Sequence, residues 1–296
     1  AQANVSAVAN AFDPTQLRVQ ATASSGQTAQ GFVMQHFVRT FANGEVLTPL
    51  DAPRVALRFV ALRAGRLCAN WTVWTYGKIT FQSNATCVSV APSSARGFVR
   101  VGPNAQHFVH ERDGSTYFAV GENMCWSASA NLTYDYDVGM QDLAAVGGNY
   151  VGLWMNAGGR SRFALETVAS GGVGQYDLKA AWRLAYLLAR AHALDFRVLM
   201  CLQSFNSFRA TQPYPAWTTN PYNSQNGGPV SAAQPFAFFT DAVAAAYFER
   251  FLAYVAARFG ASTSVLAWEF FNEVDLVDNF NFTVVTNWHA RMADFV

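Results

Sequence analysis

The sequence predicts a multidomain chain, with an all-β sandwich over residues 1–112 followed by the first half of a (β/α)8 barrel over residues 113–296. Three observations predict it. Up to about residue 112 the apolar residues alternate in short runs broken by Gly, Pro and Asn, as half-buried strands require. From about Tyr117 the period changes, and apolar strands alternate with segments of 3.6-residue periodicity, the mark of βα units around a parallel sheet. Polar residues then gather at the C-terminal ends of those strands (Asn123, Asn156, Gln203 with Asn206, Asn272 with Glu273), where a barrel builds its site.

In chain order, the alternation runs through RVALRFV (Val55, Leu57, Phe59), NWTVWTY (Trp71, Val73, Thr75) and GFVRV (Phe98–Val101). Their short, turn-punctuated spacing suits an immunoglobulin-like sandwich. Asp113-Gly114 is a hairpin-turn dipeptide between two further strands. The parallel strands are YFAVGENMCW, NYVGLWM, FRVLMCLQS and SVLAWEFFNE. One helix between them carries Leu178, Trp182, Ala185 and Leu188 on a face. Another has Phe248, Phe251, Leu252, Val255 and Phe259 at i, i+3, i+4, i+7 and i+11, with Thr240 or Asp241 as N-cap and Gly260 as stop. A last one carries Val285, Trp288, Met292 and Phe295. No glycine-rich phosphate loop follows the first strand, which favours a barrel half over a dinucleotide-binding sheet.

Composition narrows function. Among 296 residues, 51% are hydrophobic and only 13% charged, with a formal net charge of +1. Near-neutrality without a Lys/Arg run excludes the electrostatic footprint of a nucleic-acid or anionic-membrane partner. No apolar run reaches the roughly 20 residues of a membrane span. Eighteen Asn residues include five N-x-S/T sequons, at Asn4, Asn70, Asn84, Asn131 and Asn281. That excess, with a chain beginning at Ala1, predicts a processed, secreted glycoprotein of a cell wall or matrix. Cys68 and Cys87, in consecutive strand-like runs, are placed to bridge in such a compartment, whereas Cys125 and Cys201 read as buried thiols. No spacing suggests a metal, and no cofactor is expected.

The stretch VLAWEFFNEVD sets Glu269 and Glu273 in an apolar strand, and burying a carboxylate needs a reason. Together with DGSTYFAVGENMCW, GGNYVGLWM, NPYNSQNGGP, FERFLAYVAARFG and NWHARMADF, it resembles the clan A glycoside hydrolases of the cellulase and mannanase type (family five-like). Enzymes of this type often carry a small β-sandwich ahead of a TIM barrel. The resemblance implies hydrolysis of a β-linked polysaccharide, mannan- or cellulose-like, by retaining double displacement. Glu273 would be the acid/base, and Asn272 the residue that hydrogen-bonds the sugar 2-hydroxyl. The chemistry agrees: a carboxyl at the rim of an apolar barrel loses hydration, which favours the protonated form that an acid catalyst needs.

A retaining enzyme needs a second carboxylate about 5–5.5 Å away. In this family it comes from the seventh strand, outside this chain. Glu269 is four residues earlier on the same strand, roughly 13 Å distant, and is expected to pair with a cation or hydroxyl in a structural role. Four βα units leave an open edge, so a continuation or companion polypeptide is expected to complete the barrel. Family members also place an Arg on the second strand where this sequence has Gly152. That substitution favours the alternative: a non-catalytic carbohydrate-binding or structural extracellular glycoprotein on a degenerate hydrolase scaffold. As sugar contacts the sequence offers Trp217, in the long QPYPAWTTNPYNSQNGGP loop, with Trp154, Trp126 and Asn123. His289, beside Trp288, reads as a surface or interface histidine.

Overall fold

A computed structural model describes residues 5–127, 129–156 and 162–296. The first strands are β1 (Leu17–Ala23), β2 (Thr28–Gln30), β3 (Phe32–Met34), β4 (Phe37–Phe41), β5 (Glu45–Pro49) and β6 (Arg54–Ala56). They are followed by β7 (Gly65–Thr75), β8 (Lys78–Gln82) and β9 (Thr86–Val90). β2, β1, β7 and β8 lie side by side in an antiparallel sheet, and β9 pairs the start of β7. Cys68 and Cys87 face each other in that register and form the expected disulfide. The sheet buries Leu17, Val19 and Val73 against Val55 of the β3–β6 ribbon. Gly31 is needed at this contact, since a Cβ there would lie 2.7 Å from Val19 Cβ.

The ribbons also reach across the expected boundary. Phe32 of β3 belongs to the same core as the later helices, and Val33 O accepts from Tyr254 Oη at 3.0 Å and Arg258 Nη1 at 2.9 Å. Likewise β10 (Val99–Val101), β11 (Phe108–His110) and β12 (Thr116–Tyr117) form one three-stranded sheet that straddles residue 112. Its last turn is the one that Asp113-Gly114 predicts: Gly114 has φ 69°, and the Asp113 carboxylate accepts from Ser115 N at 3.0 Å. Apolar faces as small as that of the β3 ribbon have too little core of their own, so Phe32 is buried with the neighbouring helices.

The second part is a parallel sheet in the order β13 (Gly121–Cys125), β14 (Tyr150–Trp154), β15 (Arg197–Ser204) and β16 (Val265–Asn272). All four expected strands are present, with the first beginning at Gly121 because Tyr117 is taken by β12. Helices α1 (Thr133–Ala145), α2 (Leu178–Ala193), α3 (Ala242–Phe259) and α4 (Phe282–Phe295) cover the sheet. Of the two N-cap candidates, Thr240 and Asp241, it is Asp241 that caps α3, accepting from Ala244 N at 2.8 Å, and Gly260 is its C-cap, as expected. On α2 the buried face is Ala180, Ala181, Leu184, Leu187, Leu188 and Ala191, one step round from the predicted stripe. Trp182 is drawn aside to meet Phe37 of β4 edge-to-face. On α4, Phe295 is 46% exposed while Val285, Trp288 and Met292 are buried. The fold is TIM-barrel-like, but the sheet stays open at β13 and β16, with no closed barrel among the described residues.

Helix α1 lacks a local cap: Leu132 precedes it at φ 51° with no side-chain hydrogen bond. Its first N–H is met from 88 residues away, where the Glu45 carboxylate on the β4–β5 hairpin accepts from Thr133 N at 3.3 Å and from Thr133 Oγ1. Arg183 Nε of α2 donates to the same carboxylate at 2.5 Å. The hairpin is thereby pinned over the α1–α2 pair. Arg39 strengthens the joint, donating to Asp137 at 2.7 Å with its guanidinium over Tyr134.

Candidate active site

β16 ends at Asn272, and Glu273 follows with φ 51° and ψ 46°, a left-handed conformation that costs a non-glycine residue about 1–2 kcal/mol. Such strain clusters at functional positions, because the surrounding fold must hold it. The brace is visible. Beyond a short turn at Val274–Leu276, the Asp278 carboxylate accepts from Ala210 N at 2.6 Å and from Thr211 N at 3.2 Å, tying the loop after β15 to the loop after β16. The Glu273 side chain is exposed, so these four strands do not supply the walls that would desolvate it. Asn272 sits beside it half-buried, and its buried Nδ2 donates to no group among the described residues.

Glu269 stands opposite Cys201 in the β15–β16 register. Its carboxyl is pushed up by burial first and by the nearby Glu273 charge, and is drawn back by the Cys201 thiol. Among the described residues, neither the cation nor the hydroxyl expected beside it acts on its carboxyl. Burial raises the Cys201 thiol well above its usual range, so it stays protonated, and its Sγ donates to Gln203 O at 3.0 Å. Cys201 is 1% exposed, while Cys125 is only half-buried.

On the neighbouring strands Trp126 and Trp154 pack with ring centroids 5.2 Å apart, both half-buried at the same end of the sheet. Asn123 lies within β13 with its side chain over Gly152. A Cβ at position 152 would meet Asn123 Oδ1 at 2.1 Å and the Tyr150 hydroxyl at 3.4 Å. The space that an Arg side chain would leave through is thus occupied by the Asn123 amide. Between β14 and β15 runs a hydrogen-bonded chain: Asn156 Nδ2 donates to Gln203 Oε1 at 2.7 Å, Ser207 Oγ to Asn156 Oδ1 at 3.0 Å, and Asn220 Nδ2 to Ser207 O at 2.6 Å.

Trp217 is not a sugar platform. It is 1% exposed, its Nε1 donates to Ala232 O at 2.9 Å, and its ring lies 6.0 Å from that of Phe208. The long loop folds back as its own buried layer, with Tyr222 and Val230 also inside, so its Trp serves packing. His289 packs between Trp288 and Phe270, with its Nδ1 2.8 Å from Val285 O. Of the sequons, Asn70, Asn84 and Asn281 are exposed, Asn131 is half-buried with its amide donating to Asp135 at 3.0 Å, and Asn4 lies outside the described residues.

The sequence reading missed Glu166. It is 5% exposed, accepts from Gly174 N at 2.7 Å, and burial pushes its carboxyl up to about 7, partly offset by that N–H, by Tyr222 and by Arg250. The only trace in sequence was a lone acid after the apolar run FAL.

Four parallel strands with covering helices, an acid at the mouth of the last strand and polar groups along the strand ends are the arrangement of a TIM-barrel-like scaffold, which builds its site at the C-terminal ends of its strands. A glycoside hydrolase from Bacteroides vulgatus superposes with a TM-score of 0.59 at 14% identity, over 96% of this chain and 50% of that one. An endo-1,4-beta-mannanase from Rhizomucor miehei superposes at 0.47 and 18% identity, over 67% of this chain and 57% of its own. In sequence, two mannan endo-1,4-beta-mannosidases from Solanum lycopersicum are each 24% identical over 214 residues, 68% of this chain and 48% of theirs. The chain spans about half the length of the curated relatives it matches. No protein-family profile matches it.

Proposed function

We propose that this chain carries the acid/base half of a retaining hydrolase acting on a β-1,4-linked, mannan-like polysaccharide. The observation that carries the reading is the strained Glu273 directly after β16, beside the unpaired amide of Asn272. Glu273 protonates the departing glycosidic oxygen and then draws a proton from the water that enters. The Asn272 amide, one residue before Glu273, is the group assigned to the sugar 2-hydroxyl. The nucleophile comes from polypeptide outside these residues, which also encloses Glu273 and covers the open edges of β13 and β16. The tomato mannosidases, twice as long as the matched portion, support that layout.

The N-terminal strands serve as the sandwich-like domain that precedes such barrels. Extracellular location fits the disulfide and the exposed sequons at Asn70, Asn84 and Asn281. A second reading, sugar binding without hydrolysis, is favoured by one observation: Asn123 fills the space next to Gly152, so no cation emerges from β14 to steady a nucleophile. Reducing-end release from soluble mannan by the full protein separates the two. Glu273→Gln, which keeps the side-chain volume, is expected to lower release at least 100-fold while retention on mannan persists. Release unchanged by Glu273→Gln would defeat the assignment of the acid/base, and retention without release by the wild type would establish the second reading.

A further inference from the structure

A cleft of about 690 Å³ opens between the N-terminal strands and α3, within the roughly 300–1,000 Å³ range of small-molecule sites. It is remote from Glu273. The last turn of α3 lines it, and that turn leads into the start of β16, roughly 25 Å along the strand from Glu273. Its walls are largely apolar: Phe12, Phe32 and Phe59 come from the N-terminal part, and Ala253, Ala256 and Ala257 from α3.

Three cationic residues line the cleft, and no described lining residue is acidic. Arg250 is paired with Asp13 at 3.4 Å. Arg18 lies between the buried Leu17 and Val19 on β1, so it points to the other face, where its guanidinium sits 4.1 Å from the Trp74 ring centroid. Arg58 has no carboxylate among the described residues. It is half-buried, 5.3 Å from the Phe32 ring centroid, and of its donors only Nη1 bonds a described group, the Arg258 carbonyl. Arg258 itself is 1% exposed, and its guanidinium bonds Val33 O and Tyr254 Oη, both neutral. Burial lowers the Arg58 guanidinium, and the Arg258 charge lowers it further. The C-terminal carbonyls of α3 set only about half a negative charge against these two full positive ones. More than one positive charge therefore stays uncompensated beside an apolar cavity.

We propose that this cleft binds an amphipathic monocarboxylate, with its carboxylate on Arg58 and its hydrocarbon body between the phenylalanines and the alanine face of α3. The Nε and Nη2 of Arg58 form the fork that donates to both oxygens of one carboxylate. The site draws on none of the groups assigned to hydrolysis. Because Ala253 is exposed on α3, it can be enlarged to narrow the cleft without touching the core.

The test is calorimetric titration of the full protein with decanoate and with decanol, which has the same chain length and no charge. Decanoate is expected to saturate one site and to bind at least ten-fold more tightly than decanol. Arg58→Met is expected to remove that preference while leaving decanol within two-fold, and Arg58→Lys, which keeps the charge, to hold decanoate within three-fold of the wild type. Ala253→Phe is expected to weaken both ligands at least ten-fold with the thermal midpoint unchanged. Equal affinities for the two ligands, or a preference that survives Arg58→Met, overturn the carboxylate site. Binding that Ala253→Phe leaves intact, or no saturable binding of either ligand, overturns the cleft as its place.

Discussion

Removing the Glu45 carboxylate should unfasten the N-terminal hairpin from the barrel half. Its side chain is 0% exposed, and it faces Arg183, which is 13% exposed, at 2.5 Å, and Arg39 at 3.7 Å. Losing one partner of a buried ion pair costs about 3–5 kcal/mol, and losing the contact that caps α1 adds about 1 kcal/mol. Arg39 keeps Asp137 and Tyr186, which lowers the sum, whereas among the described residues Arg183 keeps only the Arg162 carbonyl. The expected net cost of Glu45→Ala is therefore about 3 kcal/mol. At about 2.1 cal/mol/K per residue, the unfolding entropy of 296 residues is roughly 0.6 kcal/mol/K, so the midpoint should fall by about 5 °C. Thermal unfolding followed by circular dichroism reads this directly. A cycle with Arg183→Ala should return a coupling of about 1–3 kcal/mol. A Glu45→Ala midpoint within 1 °C of the wild type, or additive single and double mutants, would refute the reasoning that the hairpin supplies the cap and the pair.

Two further outcomes follow from buried groups. Glu166 titrates near 7 when folded and about 4.5 in its ordinary state, so the folded protein holds a proton that the unfolded chain releases. The stability present below about pH 4.5 is then lost progressively up to about pH 7, by about 3 kcal/mol in all. Glu166→Gln should flatten that limb, raising stability at pH 8 and leaving it unchanged at pH 4.5; parallel denaturant midpoints from pH 4 to 8 would contradict it. Trp217→Ala should cost about 3–5 kcal/mol by leaving a cavity. A cost below 1 kcal/mol, together with weakened mannan binding, would return Trp217 to the sugar site.

The sequence by itself determined what is local. Periods of two and 3.6 residues placed the four parallel strands and three of their helices, because each element must bury one face at its own repeat. Asp113-Gly114 announced its turn, and the pair Thr240-Asp241 held the cap of α3, since both act within four residues. The acid at Glu273 was legible because a carboxylate at the end of an apolar strand is an exception that needs a cause. What joins distant segments was decided only by the tertiary structure. Glu45 capping α1 across 88 residues has no trace in either segment alone. Trp217 reads as a loop aromatic until the loop is seen to fold back over Phe208. Asn123 closing the space above Gly152, and Glu166 losing its water inside the loop after β14, depend on which side chains arrive from other strands and loops. Burial and pairing are properties of the packed chain, so the chemistry they set in those residues could not be read before it folded.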